Sequence, residues 1–280
     1  MNVDLPIPSA VPPFSEASAA SSCGSCTLHN AANLKRLGVQ VEGCDAVVAL
    51  AGNPNTGKST VFNALTGLRQ HVGNWPGTTV SRAEGGFALG GSAFKVVDLP
   101  GTYSLLSNSR DEDVARDFLL FGDPDVTVVV VDATRLERNL NLVLQILQVT
   151  GRVVVALNLM DEARRHGIEV DVRHLTRELG VPVVPMAARR GEGVQELLGR
   201  ISEMASGDVS ARPRRKQRLA PAVMRAVDEL AGQLSVEFPG LANARWVALR
   251  LLEGDAGAAR AVLDGSLGDL ARQQNARIAS

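Results

Sequence analysis

A chain of 280 residues with a formal net charge of −1, 45% hydrophobic and 21% charged residues, has room for one large or two modest domains and the composition of an ordinary globular protein. The near-zero charge argues against a general nucleic-acid binder, which shows a basic surplus, and an aromatic content of 4% predicts aliphatic cores. No stretch reaches the roughly 18 to 20 apolar residues of a membrane helix, and the N-terminus lacks the basic start and apolar centre of a signal peptide. The expectation for the chain as it stands is a soluble, intracellular protein.

Residues 1–44 contain Pro6, Pro8, Pro12 and Pro13 and then a Ser/Ala tract with no sustained apolar period. They read as a disordered or loosely attached arm. All three cysteines, Cys23, Cys26 and Cys44, precede the first clear strand, so no disulfide framework spans the fold, as suits a reducing compartment. Cys23 and Cys26 form a lone CxxC with only His29 near it. Solvated thiols are the ordinary reading of that pattern and a metal site the sharper one.

From Asp45 the pattern alternates. Apolar runs at 46–51, 94–98, 126–131, 153–157 and 182–186 predict strands, and amphipathic segments at 58–67, 111–121, 137–149, 171–180 and 193–204 predict helices. Alternation of this kind implies an α/β domain over 45–206, a mostly parallel sheet with helices on both faces. Gly207, Pro213 and the basic residues Arg212, Arg214, Arg215, Lys216 and Arg218 then mark a linker, placed at 207–216. It is either a solvated hinge or a contact for anionic headgroups. Leu219, Val223, Val227, Leu230 and Leu234 recur at helical spacing, and Trp246, Leu249, Leu251 and Leu252 form a second apolar face. Residues 217–280 therefore predict a small all-α domain.

The strongest motif is Gly52-Asn53-Pro54-Asn55-Thr56-Gly57-Lys58-Ser59. It satisfies GxxxxGK[ST] between a strand and a helix, the context in which backbone N–H groups cradle phosphates. Lys58 is expected on the β- and γ-phosphates and Ser59 on magnesium. Asn53, Asn55, Thr56, Gly57 and Thr60 complete the phosphate-side nucleotide-binding set. Asn158-Leu159-Met160-Asp161 follows the strand at 153–157. A carboxylate there can accept from both the guanine N1–H and its 2-amino group, a donor pair that adenine lacks, which assigns base choice to Asp161 and loop bracing to Asn158. Leu159 stands where GTP-binding enzymes generally carry Lys, which should weaken base stacking and speed exchange. In Met186-Ala187-Ala188 a backbone N–H, that of Ala188, is expected on the guanine O6.

Asp98-Leu99-Pro100-Gly101 fits DxxG, with Asp98 holding magnesium and the Gly101 amide sensing the γ-phosphate. The Gly- and Pro-bearing stretch His71 to Thr79 suits a loop that orders on GTP. Thr79 is the first candidate there for a magnesium-ligating threonine and Thr78 the second. Thr102 follows DxxG where Ras-like enzymes carry a water-orienting Gln, so intrinsic hydrolysis is expected to be slow.

Two stretches resemble one family. Val72-Gly73-Asn74-Trp75-Pro76-Gly77-Thr78-Thr79-Val80 is similar to the switch segment of FeoB-type ferrous-iron transporters, and Arg245-Trp246-Val247-Ala248-Leu249-Arg250-Leu251-Leu252-Glu253-Gly254-Asp255 resembles part of that family's helical domain. With the phosphate loop and Asp98 to Thr102, the resemblance covers roughly residues 45–255. It implies a Ras-like P-loop GTPase followed by a helical domain resembling a guanine-nucleotide dissociation inhibitor. It also implies a membrane-embedded iron permease in the same full-length protein, at the cytoplasmic face of the bacterial inner membrane. Potassium activation is implied as well: Asn55 would ligate the ion, which substitutes for an arginine finger, so that Asn55, Thr79 and Gly101 form the catalytic set. A small regulatory partner protein and self-association are compatible with this picture, and a nucleic-acid partner is not expected. The sequence departs from the family in Ser81 and Arg82, where Glu often follows Val80, and in the length of the arm. A ribosome- or RNA-associated GTPase switch is the alternative, disfavoured because residues 219–280 are not notably basic. A third reading is a GTP-dependent scaffold with negligible turnover.

Overall fold

The computed structural model describes residues 43–67, 70–75, 78–105, 110–208, 220–239 and 243–263, with Leu34, Val39 and Leu241. Seven strands form one sheet: β1 (Ala46–Gly52), β2 (Gln70–Asn74), β3 (Ser81–Leu89), β4 (Ser92–Asp98), β5 (Val126–Asp132), β6 (Val153–Asn158) and β7 (Val183–Pro185). Their spatial order is β2-β3-β4-β1-β5-β6-β7. The pairs β1/β4, β1/β5, β5/β6 and β6/β7 are parallel, whereas β2/β3 and β3/β4 are antiparallel. Every residue of β1, β5 and β6 is buried. That is the signature of parallel strands covered on both faces, and it is why these segments read as unbroken apolar runs.

The helices are α1 (Lys58–Thr66), α2 (Arg110–Phe121), α3 (Leu136–Val149), α4 (Met160–Arg165), α5 (Val172–Leu179), α6 (Val194–Ala205), α7 (Pro221–Glu237), α8 (Ala244–Leu252) and α9 (Ala256–Leu263). Side chains alternate across the sheet. Val48, Leu50, Val96, Val128, Val130 and Val154 face a core shared with Val61, Phe62 and Leu65 of α1 and Leu197, Ile201 and Met204 of α6. Ala49, Ala51, Val97, Val129, Val131 and Val155 face a larger core with Phe118 of α2, Leu142 and Ile146 of α3, and Leu175 of α5.

The five segments expected as parallel strands are β1, β4, β5, β6 and β7. The sequence reading did not contain β2 and β3. Ser81–Leu89 carries Arg82, Glu84, Gly85 and Gly86 and is mostly half-exposed, so it presents no apolar run. Gln70–Asn74 falls inside the stretch expected to be a loop and instead forms the sheet's outer strand, paired from Gln70↔Gly85 to Asn74↔Ser81. An edge strand needs backbone pairing but little apolar surface, which hides it from a hydrophobicity pattern.

The helical segment adds to the larger core. Val227, Ala231 and Leu234 of α7 and Trp246, Val247 and Ala248 of α8 belong to the cluster that includes Phe118 and Ile146. Three short helices have too little interior for a core of their own. Polar ties cross the same seam: Asn243 Nδ2 donates to the Leu120 carbonyl at 3.4 Å and Arg250 Nη2 to Gln148 Oε1 at 3.3 Å. Leu34 and Val39, within the segment read as an arm, are also buried in this core, and the Val39 N–H donates to the Leu34 carbonyl at 2.9 Å. The remainder of residues 1–42, with Cys23, Cys26 and His29, and most of the basic linker lie outside the described residues. No helix among the described residues is long and apolar enough to cross a membrane.

Candidate nucleotide site

The site lies at the C-terminal ends of the neighbouring parallel strands β4, β1, β5 and β6. Leu50 is in register with Asp98, and Asp132 with Asn158. Open α/β sheets bind ligands at this edge, because loops there can converge without breaking the ladder.

The chain leaves β1 at Gly52 and turns into α1 through Gly57, whose φ of 78° is left-handed. A side chain at Gly57 would place its Cβ 2.5 Å from Asn158 Nδ2, and one at Gly52 would sit 2.7 Å from the Val130 carbonyl oxygen. Both positions therefore need glycine, one for conformation and space and the other for space alone. Asn55 also has a left-handed φ, 66°, and its side chain is exposed, as are those of Ser59 and Thr60 at the start of α1. Asn53 and Thr56 are buried, and the Thr56 hydroxyl donates to the Asn53 carbonyl at 2.9 Å. The Thr56 hydroxyl thus shapes the loop, whereas the buried Asn53 Nδ2 has no hydrogen-bond partner among the described residues. The N-terminus of α1 adds partial positive charge where the loop's N–H groups converge, an arrangement suited to anions.

Lys58 Nζ is ion-paired directly with Asp98 Oδ1, and both side chains are largely buried. Burial pushes the Asp98 carboxyl above the ordinary aspartate value, and the charge and hydrogen bond of Lys58 pull it back. Asp98 closes β4 and is followed by two main-chain ties to β1. Leu99 N–H donates to Leu50 O at 3.0 Å and Thr102 N–H to Gly52 O at 3.2 Å. Gly101 is exposed between them. Thr102 is buried, with its hydroxyl donating to the Ser104 carbonyl at 2.6 Å and lying 3.2 Å from Glu112 Oε1. That hydroxyl is engaged inside the fold.

Trp75 is tied to Thr78 and Val80 by hydrogen bonds. Trp75 N–H donates to Val80 O at 2.9 Å, and the Thr78 hydroxyl donates to Trp75 O at 3.1 Å while accepting from Val80 N–H at 3.2 Å. With Thr78 committed to this turn, the exposed side chain is that of Thr79. Trp75 is buried edge-on against Phe118 of α2, with ring centres 5.4 Å apart, and Arg82 lies 5.4 Å from its ring centre. Nothing in the local pattern around Trp75 marks it as a core residue, yet it is 3% exposed.

The two loops at the other end of the site are bound to each other. Asn158 Nδ2 donates to the Thr56 carbonyl at 3.0 Å, and Asn158 Oδ1 accepts the Ala188 N–H at 3.1 Å. Met160 N–H donates to Met186 O at 3.0 Å and Met186 N–H to Leu157 O at 2.8 Å. Asn158 thus joins the phosphate loop to both base loops, and the Ala188 amide assigned to a guanine oxygen already has a partner within the protein. Leu159 adopts a left-handed φ of 62°, unusual for a branched side chain. Met186, Ala187 and Ala188 are buried. Asp161 is mostly buried and paired with Arg165 and Arg190. Sequence reasoning missed both arginines. The spacing of Arg165, one helical turn after Asp161, was the available signal, whereas Arg190 comes from the other loop and offered none.

The exposed hydroxyls of Ser59 and Thr79 and the carboxylate of Asp98 are hard oxygen donors, the set that suits magnesium. Among the described residues no group of three or more His, Cys, Asp or Glu side chains is placed to hold a metal ion.

Residues 46–201 match the family model for ferrous iron transport protein B. The chain is 44% identical over 233 residues to an Fe(2+) transporter FeoB of Salmonella typhimurium, covering 80% of this chain and 30% of that protein. It is 40% identical over 238 residues to that of Escherichia coli K12, covering 81% and 30%. It therefore spans under a third of the length of these relatives. Among solved structures it is similar to the cytosolic domain of L. pneumophila FeoB, at 38% identity and a TM-score of 0.70 over 81% of this chain and 88% of that one. The cytosolic domain of T. maritima FeoB in a GDP form gives 36% identity and a TM-score of 0.70, covering 82% and 93%. The chain belongs to the ferrous iron transport protein B family and carries that family's P-loop GTPase domain.

Proposed function

We propose that this domain binds GTP with magnesium, hydrolyses it slowly with help from potassium, and thereby regulates ferrous-iron uptake by a membrane permease that is part of the same, longer protein. The observation that carries the reading is the Asn158 bridge, which fixes the distance between a phosphate loop and a loop bearing a base-reading carboxylate. The homologues' identity as iron transporters supports the uptake role and does not favour the RNA-associated alternative.

Lys58 would leave Asp98 and turn to the β- and γ-phosphates, and Asp98, Ser59 and Thr79 would hold magnesium. A magnesium ion held there would supply positive charge to offset the negative charge that develops during phosphoryl transfer. Asp161 would accept from the guanine N1–H and 2-amino group, beside the main chain of Leu159 and Met186 to Ala188. The Gly101 amide would meet the γ-phosphate. Asn55, exposed at the rim of the phosphate loop, would ligate potassium in the position of an arginine finger.

The test is GTP turnover with magnesium in potassium chloride against sodium chloride, for the wild type and Asn55→Ala. Turnover raised by potassium and lost in the variant supports the reading. Equal slow turnover in both salts removes the potassium mechanism and leaves a GTP switch that depends on a partner for catalysis.

A further inference from the structure

Five side chains of alternating charge run across the two base loops. Arg165 Nη2 lies 3.1 Å and Arg190 Nε 3.4 Å from the same oxygen of Asp161, Oδ2. Arg190 continues to Glu192 at 3.9 Å, and Arg164 meets Glu192 from the other side at 3.4 Å. The Asp161 side chain is 12% exposed, against 63% for Arg165 and 54% for Arg190. The carboxylate therefore sits on the floor of the site with both guanidinium groups above it. Its second oxygen, Oδ1, has no ion-pair or hydrogen-bond partner among the described residues.

The two arginines differ in origin. Arg165 belongs to α4, the same short helix as Asp161, and moves with it. Arg190 ends the short 3-10 turn Ala188–Arg190 that follows β7. Helix α4 has six residues and begins after the left-handed Leu159, so it has little intrinsic rigidity. The pair Asp161–Arg190 and the contact Arg164–Glu192 are the charged ties that fix its orientation relative to the other base loop.

We propose that Arg190 is a positioning residue that sets guanine selectivity. By holding Oδ2 from the β7 side, it turns the Asp161 carboxylate so that both oxygens meet the N1–H and the 2-amino group of one base. The proposal rests on the assignment of Asp161 as the base reader. It concerns how that carboxylate is aimed, because a bidentate pair is lost by a small rotation that a single hydrogen bond survives.

The test compares dissociation constants for GDP and IDP, which lacks the 2-amino group, in the 280-residue chain. The variants are Arg190→Gln, Arg190→Lys and Asp161→Ala, each checked for unchanged thermal unfolding. Arg190→Gln should reduce the preference for GDP over IDP about three- to fivefold, the range open to a partly exposed ion pair. Arg190→Lys should restore most of it, and Asp161→Ala should erase it. An equal loss of GDP and IDP affinity in Arg190→Gln, with the ratio at the wild-type value, would show a merely structural role and overturn the proposal. A ratio that Arg190→Lys fails to restore would overturn it too. If Asp161→Ala itself leaves the preference intact, the base assignment fails and takes this inference with it.

Discussion

The two ends of the site are built differently. The phosphate end is one contiguous loop whose groups are backbone amides and a lysine, and its partners Asp98 and Thr79 lie on segments that the sheet edge and a turn hold in place. The base end consists of two loops distant in sequence, tied by Asn158, by two main-chain hydrogen bonds and by a chain of charges. Its shape is set before any ligand arrives. At the phosphate end the principal charges, Lys58 and Asp98, satisfy each other, and in the proposed roles they would part for a nucleotide. The contrast assigns conformational response to the phosphate end and discrimination to the base end.

The largest effect that would break this contrast is at Lys58. Lys58→Ala should lower GTP affinity about a thousandfold or more, since a charge-assisted contact to phosphate is lost and Asp98 is left facing the phosphates. Titration with a fluorescent GTP analogue checks this, and near-wild-type affinity would remove Lys58 from the phosphate site. Next is the packing that pins the switch segment. Phe118→Ala should cost about 3–4 kcal/mol of stability, because it opens a cavity under Trp75 and against the larger core. Denaturant unfolding measures it, and tryptophan fluorescence should report greater exposure of Trp75.

Asn158→Ala addresses the bridge itself. It leaves the Ala188 N–H and the Thr56 carbonyl without their partner, at about 1–3 kcal/mol. It should weaken GDP and GTP binding together, measurable by calorimetry; an effect on one nucleotide alone would mean that the bridge is not shared by both ends. The smallest effect is expected at Thr102. Its hydroxyl is spent on Ser104 and Glu112, so Thr102→Val should cost about 1 kcal/mol of stability and change the turnover per bound GTP less than about twofold, a free-energy difference of under about 0.5 kcal/mol. A large fall in turnover at unchanged affinity would place this hydroxyl in the reaction.

The parts of the fold legible in the sequence were those driven by burial on two faces. β1, β5 and β6 read directly because every position except Thr127 and the terminal Asp132 and Asn158 is apolar or glycine. The amphipathic helices read from their period, and the phosphate loop from glycines that sterics require. β2 and β3 did not: β2 is an edge strand and β3, between β2 and β4, is mostly half-exposed, so both rest on backbone pairing to neighbours that the local sequence does not name. α4 was likewise missed, being only one and a half turns after a left-handed residue.

What the sequence determined by itself was the chemistry of the phosphate loop, since those residues are neighbours along the chain and their spacing fixes their geometry. It also pointed to Asp161, by its position after a buried strand, as the candidate base-reading carboxylate. Only the tertiary structure decided the rest. It put Trp75 into the core, merged the C-terminal helices with the core of the GTPase domain, gave the Ala188 amide to Asn158, and brought Arg190 onto Asp161. The physical reason is common to all four: each is a contact between segments far apart in sequence, and such a contact exists only once the sheet has set the distance between them.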